Sequence, residues 1–354
     1  MNALPEGYLC SEADQDRGRS EGVHPLYLAL DLVYAMGLSL LVAYAATPLL
    51  QSPLPMALQM LAAMALGMAL ATLVSFLASV ALGMFEAMIL GMWTGMTASM
   101  VGIADSASAW ARLGPALLCG ATVWGLVSLA NYYYRSKRPG VRAPADAPAP
   151  AVGAAIRKRK KSLAFWDKIS PLYDLIVWGS DRRNQRLKRQ AFSGSHGRVL
   201  FVGAGTGRDF DFMPPGLKLY AVDISQGMLE KARPKAERYA GKARLIRCDI
   251  ARAPFPSGSF DTVVTSCVFC SVAEPVQGLQ EVRRLLSPGG KLIMFEHVLS
   301  RNPLLSFVLR SMNPLSSGPD FTRDTERNAL AAGWDTVEHR NAYMDIVKII
   351  TAER

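Results

Sequence analysis

From Leu54 to Ile103 the chain carries a single ionisable side chain, Glu86. A stretch so apolar must satisfy its backbone polar groups internally, which in a bilayer leaves helix as the workable form for a single chain segment. Hydropathy marks apolar spans at about 26–48, 55–76, 80–103 and 113–133, each near the roughly 20 residues that cross a hydrocarbon core. No polar loop divides the second from the third, and only the Ser75–Ser79 neighbourhood offers a break. Four spans place both ends of the bundle on one side. Arg135, Lys137, Arg138 and Arg142 follow the last span, so by the positive-inside rule that side is cytoplasmic. Tyr132–Tyr134 fits an interfacial aromatic belt there. The expectation is an all-α four-helix transmembrane domain over 26–134, preceded by a cytoplasmic tail over 1–25. That tail lacks an apolar core behind a basic start and does not read as a cleaved signal peptide.

Within these spans Met56, Met60, Met64 and Met68, then Met84, Met88, Met92, Met96 and Met100, recur every fourth residue. A small residue precedes each of the second set: Gly83, Ala87, Gly91, Gly95 and Ser99. Steps of four advance a helix by about 400°, giving an inclined ridge beside a groove of small residues. Small-xxx-small rows let transmembrane backbones approach closely, so helix packing is a sufficient explanation, and a homo-oligomer through these helices is open. Thioethers also bind soft ions, and Glu86, an intramembrane carboxylate, is a functional suspect by default.

The net charge of +10 belongs to the second half and its approach. Residues 135–161 read as a linker: "RAPADAPAPAVGAA" is a semi-rigid Pro/Ala spacer, followed by five consecutive basic residues, Arg157–Lys161. Beside apolar spans such a run favours anionic lipid headgroups, and stacking aromatics are not interleaved with it, which argues against nucleic acid. The five cysteines are odd in number and scattered, which gives no disulfide framework and fits a reducing compartment.

From about Arg198 short apolar runs alternate with amphipathic segments. Strand candidates are 198–203, 217–223, 243–248, 261–266 and 291–297, with "TVEHR" and "YMDIVKIIT" at the end. Alternation of this kind predicts a Rossmann-like, doubly wound α/β domain over 162–354, with a mostly parallel seven-stranded sheet closed by an antiparallel hairpin. "VLFVGAGTGRDF" puts Gly203, Gly205 and Gly207 after the first strand, where backbone must turn sharply beside a ligand. Asp223 ends the second strand, placed for two ribose hydroxyls, and Asp249 follows the third, where an adenine amino group would lie.

In these motifs the chain resembles class I S-adenosylmethionine-dependent methyltransferases. "FDTVVTSCVFCSV" and "EVRRLLSPGGKLIMFEHV" are similar to later motifs of that family, and "FWDKISPLYDLI" (165–176) resembles the segment before the core in quinone- and phospholipid-type members. A closer likeness is to membrane-associated thiol S-methyltransferases, carried by 205–216, 268–272 and 295–298. The resemblance implies S-adenosylmethionine as cofactor, its methionine part on the glycine loop, its ribose on Asp223 and its adenine on Asp249. Ile224, Ile250 and Ser266 complete that site, and Tyr173 closes over it. The acid usual two residues before the first glycine is Phe201 here.

Glu296 and His297, at the end of the fifth strand, are the available acid/base pair, with a structural histidine as the alternative for His297. Cys267 and Cys270 read as core or as lining of the acceptor pocket, Cys248 as core, and no metal site is expected. "LSRNPLLSFVLRSMNPLSSG", with Met312, is expected to dip into the membrane interface and shape the acceptor pocket. The sequence thus predicts a multi-pass integral membrane methyltransferase with a cytoplasmic catalytic domain. Its acceptor is small and lipophilic, a thiol ahead of a phospholipid amine or quinone precursor. A soft-metal or metalloid transport or sensing protein is the rival of another class.

Overall fold

The computed structural model describes residues 25–82, 84–100, 109–136, 152–313 and 318–354. The N-terminal tail and most of the Pro/Ala spacer lie outside the described residues, as do the side chains of Met84, Glu86, Met88 and Met312. The chain forms two compact units, one drawing on Met1–Trp124 and Gly179–Asn184, the other on Gly125–Trp178 and Gln185–Arg354.

The first unit is helical: α1 (Pro25–Leu50), α2 (Met56–Leu82), α3 (Met84–Ala98) and the first part of α4 (Ala109–Ser136). The expected break at Ser75–Ser79 is not there, and α2 runs through it to Leu82. Ser75 is no breaker because its hydroxyl is satisfied by Tyr34, whose Oη lies 2.6 Å away. Described helix in the third expected span covers only Met84–Ala98, about 22 Å at 1.5 Å per residue, against a hydrocarbon core of about 30 Å. Among the described residues, three helical segments are long and apolar enough to cross a membrane: Leu26–Leu50, Met56–Ser75 and Leu113–Arg135.

Small residues bring the helix backbones together. A Cβ on Gly67 would sit 2.4 Å from the Gly95 carbonyl oxygen, and one on Gly95 would sit 2.5 Å from the Ala71 Cβ. Met56 is 75% exposed, and Met60, Met68 and Met100 are exposed as well, whereas Met64, Met92 and Met96 are half-buried. Part of the expected ridge therefore points outward, while its groove of glycines is where backbones meet. Two polar pairs cross between helices inside the unit: Ser39 donates to the Ala116 carbonyl at 2.6 Å, and Asp31 meets Arg183 at 2.5 Å.

The second unit holds α5 (Val152–Ile176), most of α6 (Trp178–Phe192) and a seven-stranded sheet ordered β3-β2-β1-β4-β5-β7-β6. Its strands are β1 (Arg198–Val202), β2 (Lys218–Asp223), β3 (Lys242–Arg247), β4 (Phe260–Ser266), β5 (Leu286–His297), β6 (Glu338–Tyr343) and β7 (Val347–Glu353). Helices α7 (Gln226–Arg238), α8 (Pro275–Leu285), α9 (Pro303–Met312) and α10 (Thr325–Ala331) connect them. β1 to β5 are parallel, and β7 runs antiparallel between β5 and β6, as the sequence predicts. Val199 to Val202 are all buried, which is what a central parallel strand covered on both faces requires. The order reverses between β1 and β4, opening a crevice at their carboxyl ends.

Beyond β5 the sheet edge is held by Glu326 of α10. Its carboxylate lies 2.8 Å from Lys348 Nζ of β7 and 2.9 Å from His339 Nδ1 of β6, with Arg301 at 2.7 Å. Burial opposes its charge, but the hydrogen bonds and charges of His339 and Lys348 prevail and hold the carboxyl down at about 2.

A depressed carboxyl contributes stability above its unfolded pKa and loses it as pH falls through the folded one. Glu326 should therefore supply on the order of 3 kcal/mol above pH ~4.5, lost toward pH 2. Denaturant melts of the Glu326→Gln protein should show that much less acid dependence; an acid limb identical to wild type would exclude the assignment. In the apolar unit, changing Met60, Met68 and Met100 to leucine should cost less than about 1.5 kcal/mol each. Gly67→Val should instead lower the melting temperature in detergent sharply, and the reverse ranking would restore the methionines as the contact.

Candidate active site

The crevice at the carboxyl rim is a cleft of about 860 Å3, counted out to its mouth. Its floor is the turn after β1. Gly203 and Gly205 both have positive φ, 67° and 54°, a region that costs glycine nothing. A Cβ at Gly203 would strike the Val268 side chain at 2.3 Å, whereas one at Gly205 would meet nothing nearer than the Gly203 carbonyl oxygen at 3.9 Å and the Tyr173 ring at 4.0 Å. The loop thus offers bare backbone to whatever lies above it.

Asp223 closes β2 beside that loop. Its Oδ2 accepts from the Gly205 N–H at 2.8 Å and its Oδ1 from the Ser225 N–H at 2.9 Å. A carboxylate has about four acceptor positions, so these two bonds do not exhaust it. Burial raises the Asp223 pKa, countered by those N–H groups. Asp249, after β3, accepts from the Ala251 N–H at 3.0 Å through Oδ1 and meets Arg159 Nε at 2.9 Å through Oδ2.

Arg159 belongs to α5, as do Ser162, Trp166 and Tyr173, and all four line the cleft. Their separations of 3, 4 and 7 put them on one face of a helix, so α5 is a strap across the mouth. Asp174 pins it, accepting from the Thr206 hydroxyl of the glycine loop and from Lys235 Nζ at 2.6 Å. Asp167 pins it again, accepting from Ser225 Oγ at 2.5 Å and the Gly227 N–H at 3.2 Å. The basic run is therefore not wholly a lipid-facing segment: Arg159 turns to Asp249, and Lys158 to Asp320 at 3.3 Å.

Of the residues expected around the cofactor, Tyr173, Gly203, Gly205, Asp223, Ile224, Asp249, Ile250 and Ser266 line this one cleft. Gly207 does not. It is buried, and a Cβ there would meet Phe210 at 3.0 Å and Ala232 at 3.1 Å, so it lets α7 pack on the turn. Phe201 is fully buried, its ring edge-on to Phe210 at 5.8 Å, and carries no charge to the site. Sequence reasoning missed Arg159, Ser162, Trp166 and Cys248. The first three were legible as a helix face once 152–176 is one helix.

The expected acid/base pair is redistributed. Glu296 is fully buried off the cleft, and its carboxylate accepts from Thr265 Oγ1 at 2.7 Å and from the N–H groups of Val268 at 3.0 Å and Phe269 at 3.2 Å. Burial pushes it up to about 7 against those donors. It clamps the turn after β4 and does not line the cleft, so the structure does not place it where the sequence assigns a catalytic base. His297 lies outside the cleft lining too, its Nε2 3.6 Å from Cys267 Sγ. Burial, then the Lys188 charge, pushes its imidazole down to about 3, so it stays neutral.

Cys267 does line the cleft, in a left-handed conformation at φ 56°. Burial, then Glu296, pushes its thiol well above the ordinary range. Cys270 does not: it is buried, donates toward the Cys267 carbonyl at 3.3 Å, and is pushed up to about 12 by burial first and Glu296 second. Cys248 lines the cleft rather than the core alone, and burial with Asp249 and Asp223 pushes it up to about 11.

With this geometry in view, residues 200–294 match the family model described as a methyltransferase domain. The ubiquinone/menaquinone biosynthesis C-methyltransferase UbiE of Geobacter sulfurreducens is 32% identical over 223 residues, 54% of this chain and 87% of that protein. The human thiol S-methyltransferase TMT1B is 36% identical over 180 residues, covering 45% and 72% respectively. A demethylmenaquinone methyltransferase of Paenarthrobacter aurescens is 29% identical over 233 residues, 57% and 89%.

Asp223→Ala should weaken S-adenosylmethionine binding by about 10- to 100-fold, the worth of hydrogen bonds to a charged acceptor, with the circular dichroism spectrum unchanged. Calorimetry giving wild-type affinity would remove Asp223 from the site.

Proposed function

The chain belongs to the class I S-adenosylmethionine-dependent methyltransferases, and from that premise we propose that it methylates a small lipophilic thiol while anchored in a membrane by its apolar helices. S-adenosylmethionine supplies an electrophilic methyl group on a sulfonium. The chain's own work is to hold that donor and align a nucleophile, which it does with the side-chain-free backbone at Gly203 and Gly205, with Asp223 and Asp249, and with the α5 strap.

The observation that carries the thiol is that Ser266, Cys267 and Val268, where β4 ends, bring no carboxylate or imidazole to the cleft, Glu296 being spent on the N–H groups of Val268 and Phe269 and the acid of that segment, Glu274, standing at its far end before α8. A thiol with pKa near 8.5 is already a few per cent thiolate at neutral pH and needs little base, whereas an ammonium must first lose its proton. Cys267, held protonated by burial, is a poor competitor for the methyl group. The relatives named for thiol S-methylation and for quinone C-methylation support both acceptor classes, and a quinone precursor is the second reading.

The membrane reading rests on the three long apolar helices. We extend it to a multi-pass anchor, with α3 as a fourth, shorter span and the catalytic domain on the cytoplasmic side.

Full-length protein in detergent, supplied with an alkyl thiol, an alkyl amine or a demethylated quinol, should release S-adenosylhomocysteine fastest with the thiol. Its kcat/KM should rise with pH in step with the thiolate fraction, because no enzyme base intervenes. Turnover of amine or quinol but not thiol would overturn this acceptor class.

A further inference from the structure

We propose that the carboxyl rim of the sheet, with the cleft mouth, sits at the bilayer interface, held there by a dock between the end of α4 and the β6–β7 end of the sheet. The proposal rests on the membrane reading of α4 and is independent of the acceptor's identity. Asn131 Oδ1 accepts from the Met344 N–H at 2.8 Å. The Tyr134 carbonyl accepts from Asn341 Nδ2 at 2.6 Å, and its hydroxyl accepts from Asn302 Nδ2 at 2.8 Å.

These contacts fall on one rim. β7 begins at Val347, paired with His297, the last residue of β5, so the turn carrying Met344 stands at the carboxyl ends of the parallel strands. Gly203, Asp223 and Cys267 stand along the same rim. Leu113–Arg135, the segment of α4 apolar enough to cross a membrane, ends there, with Leu126, Leu129, Tyr132 and Tyr133 exposed along its last turns.

Apolar side chains continue outward from the dock. Asn302 also caps α9, its Oδ1 accepting from the Leu305 N–H at 3.2 Å, so α9 starts at the level of Tyr134. Leu305 and Leu309 of α9 are buried while Phe307 is exposed. On the strap, Tyr173 faces the cleft and its neighbours Leu172 and Leu175 are 60% and 59% exposed. An aromatic belt on α4 and exposed leucines on the strap suit the boundary between headgroups and acyl chains. An acceptor dissolved in the bilayer then enters the cleft without crossing water, and the dock, rather than the length of the linker, sets which depth is served.

The test uses full-length protein in phosphatidylcholine vesicles with photoreactive benzoylphenylalanine replacing Leu175. Irradiation should give lipid adducts by mass spectrometry, falling about fivefold or more in the Asn131→Ala/Asn341→Ala variant as the strap leaves the interface. The variant's kcat/KM for vesicle-borne dodecanethiol, relative to 2-mercaptoethanol in water, should fall about tenfold through KM. Tyr134→Phe, which keeps the carbonyl bond, gives an intermediate case should the double variant fold poorly. No lipid adduct, or an adduct yield equal in native and docked-out proteins, overturns the proposal whatever the activity. Loss of adduct in a protein that methylates neither thiol supports the dock and refutes the thiol acceptor instead.

Discussion

The site depends on one carboxylate accepting two backbone N–H groups. Asp223 ends β2, and its two oxygens take the amides of Gly205 and Ser225, which belong to the turns after β1 and β2. Neighbouring parallel strands fix only where those turns begin. The shared carboxylate fixes where they go, so that glycine backbone and acceptor oxygens face one cleft. Burial raises the pKa of this carboxyl, and both bonds, which favour the charged form, oppose that rise.

The same device recurs around the cleft. Asp174 and Asp167 tie the strap to the glycine loop and to the start of α7, and Glu296 gathers the N–H groups after β4. Each is an acid holding backbone or hydroxyl donors that a turn would otherwise expose without partners. Acidic residues near the site thus divide into those that build the rim and those free to meet a ligand. Composition cannot separate the two, and only the donors opposite each oxygen can.

That division marks the limit of what the sequence made legible. Strand positions, the hairpin and the Gly203, Asp223, Asp249 series were readable because alternation, turn glycines and strand ends leave local signatures. Glu296 was misplaced because its partners, Thr265, Val268 and Phe269, lie on another strand and the turn beyond it. Gly207 resembles its two fellow glycines in sequence, yet its missing Cβ serves α7 packing rather than ligand approach. In the apolar half the period of four was plain, but it could not say which of two adjacent stripes faces a neighbour. Gly67 against Gly95 answers that through backbone proximity alone.

The linker shows the remaining gap between pattern and structure. A Pro/Ala spacer after the last span reads as a semi-rigid linker between the two halves. Yet Asn131 and Tyr134, within the end of α4, are already hydrogen-bonded to Asn302, Asn341 and Met344. Closing that contact leaves the spacer only the task of returning the chain to the strap, where Lys158 and Arg159 find Asp320 and Asp249. The basic run is then partly a cover for the cleft, through Arg159, while Arg157, Lys160 and Lys161 are exposed beside it. A reading of charge runs by composition could not apportion those roles.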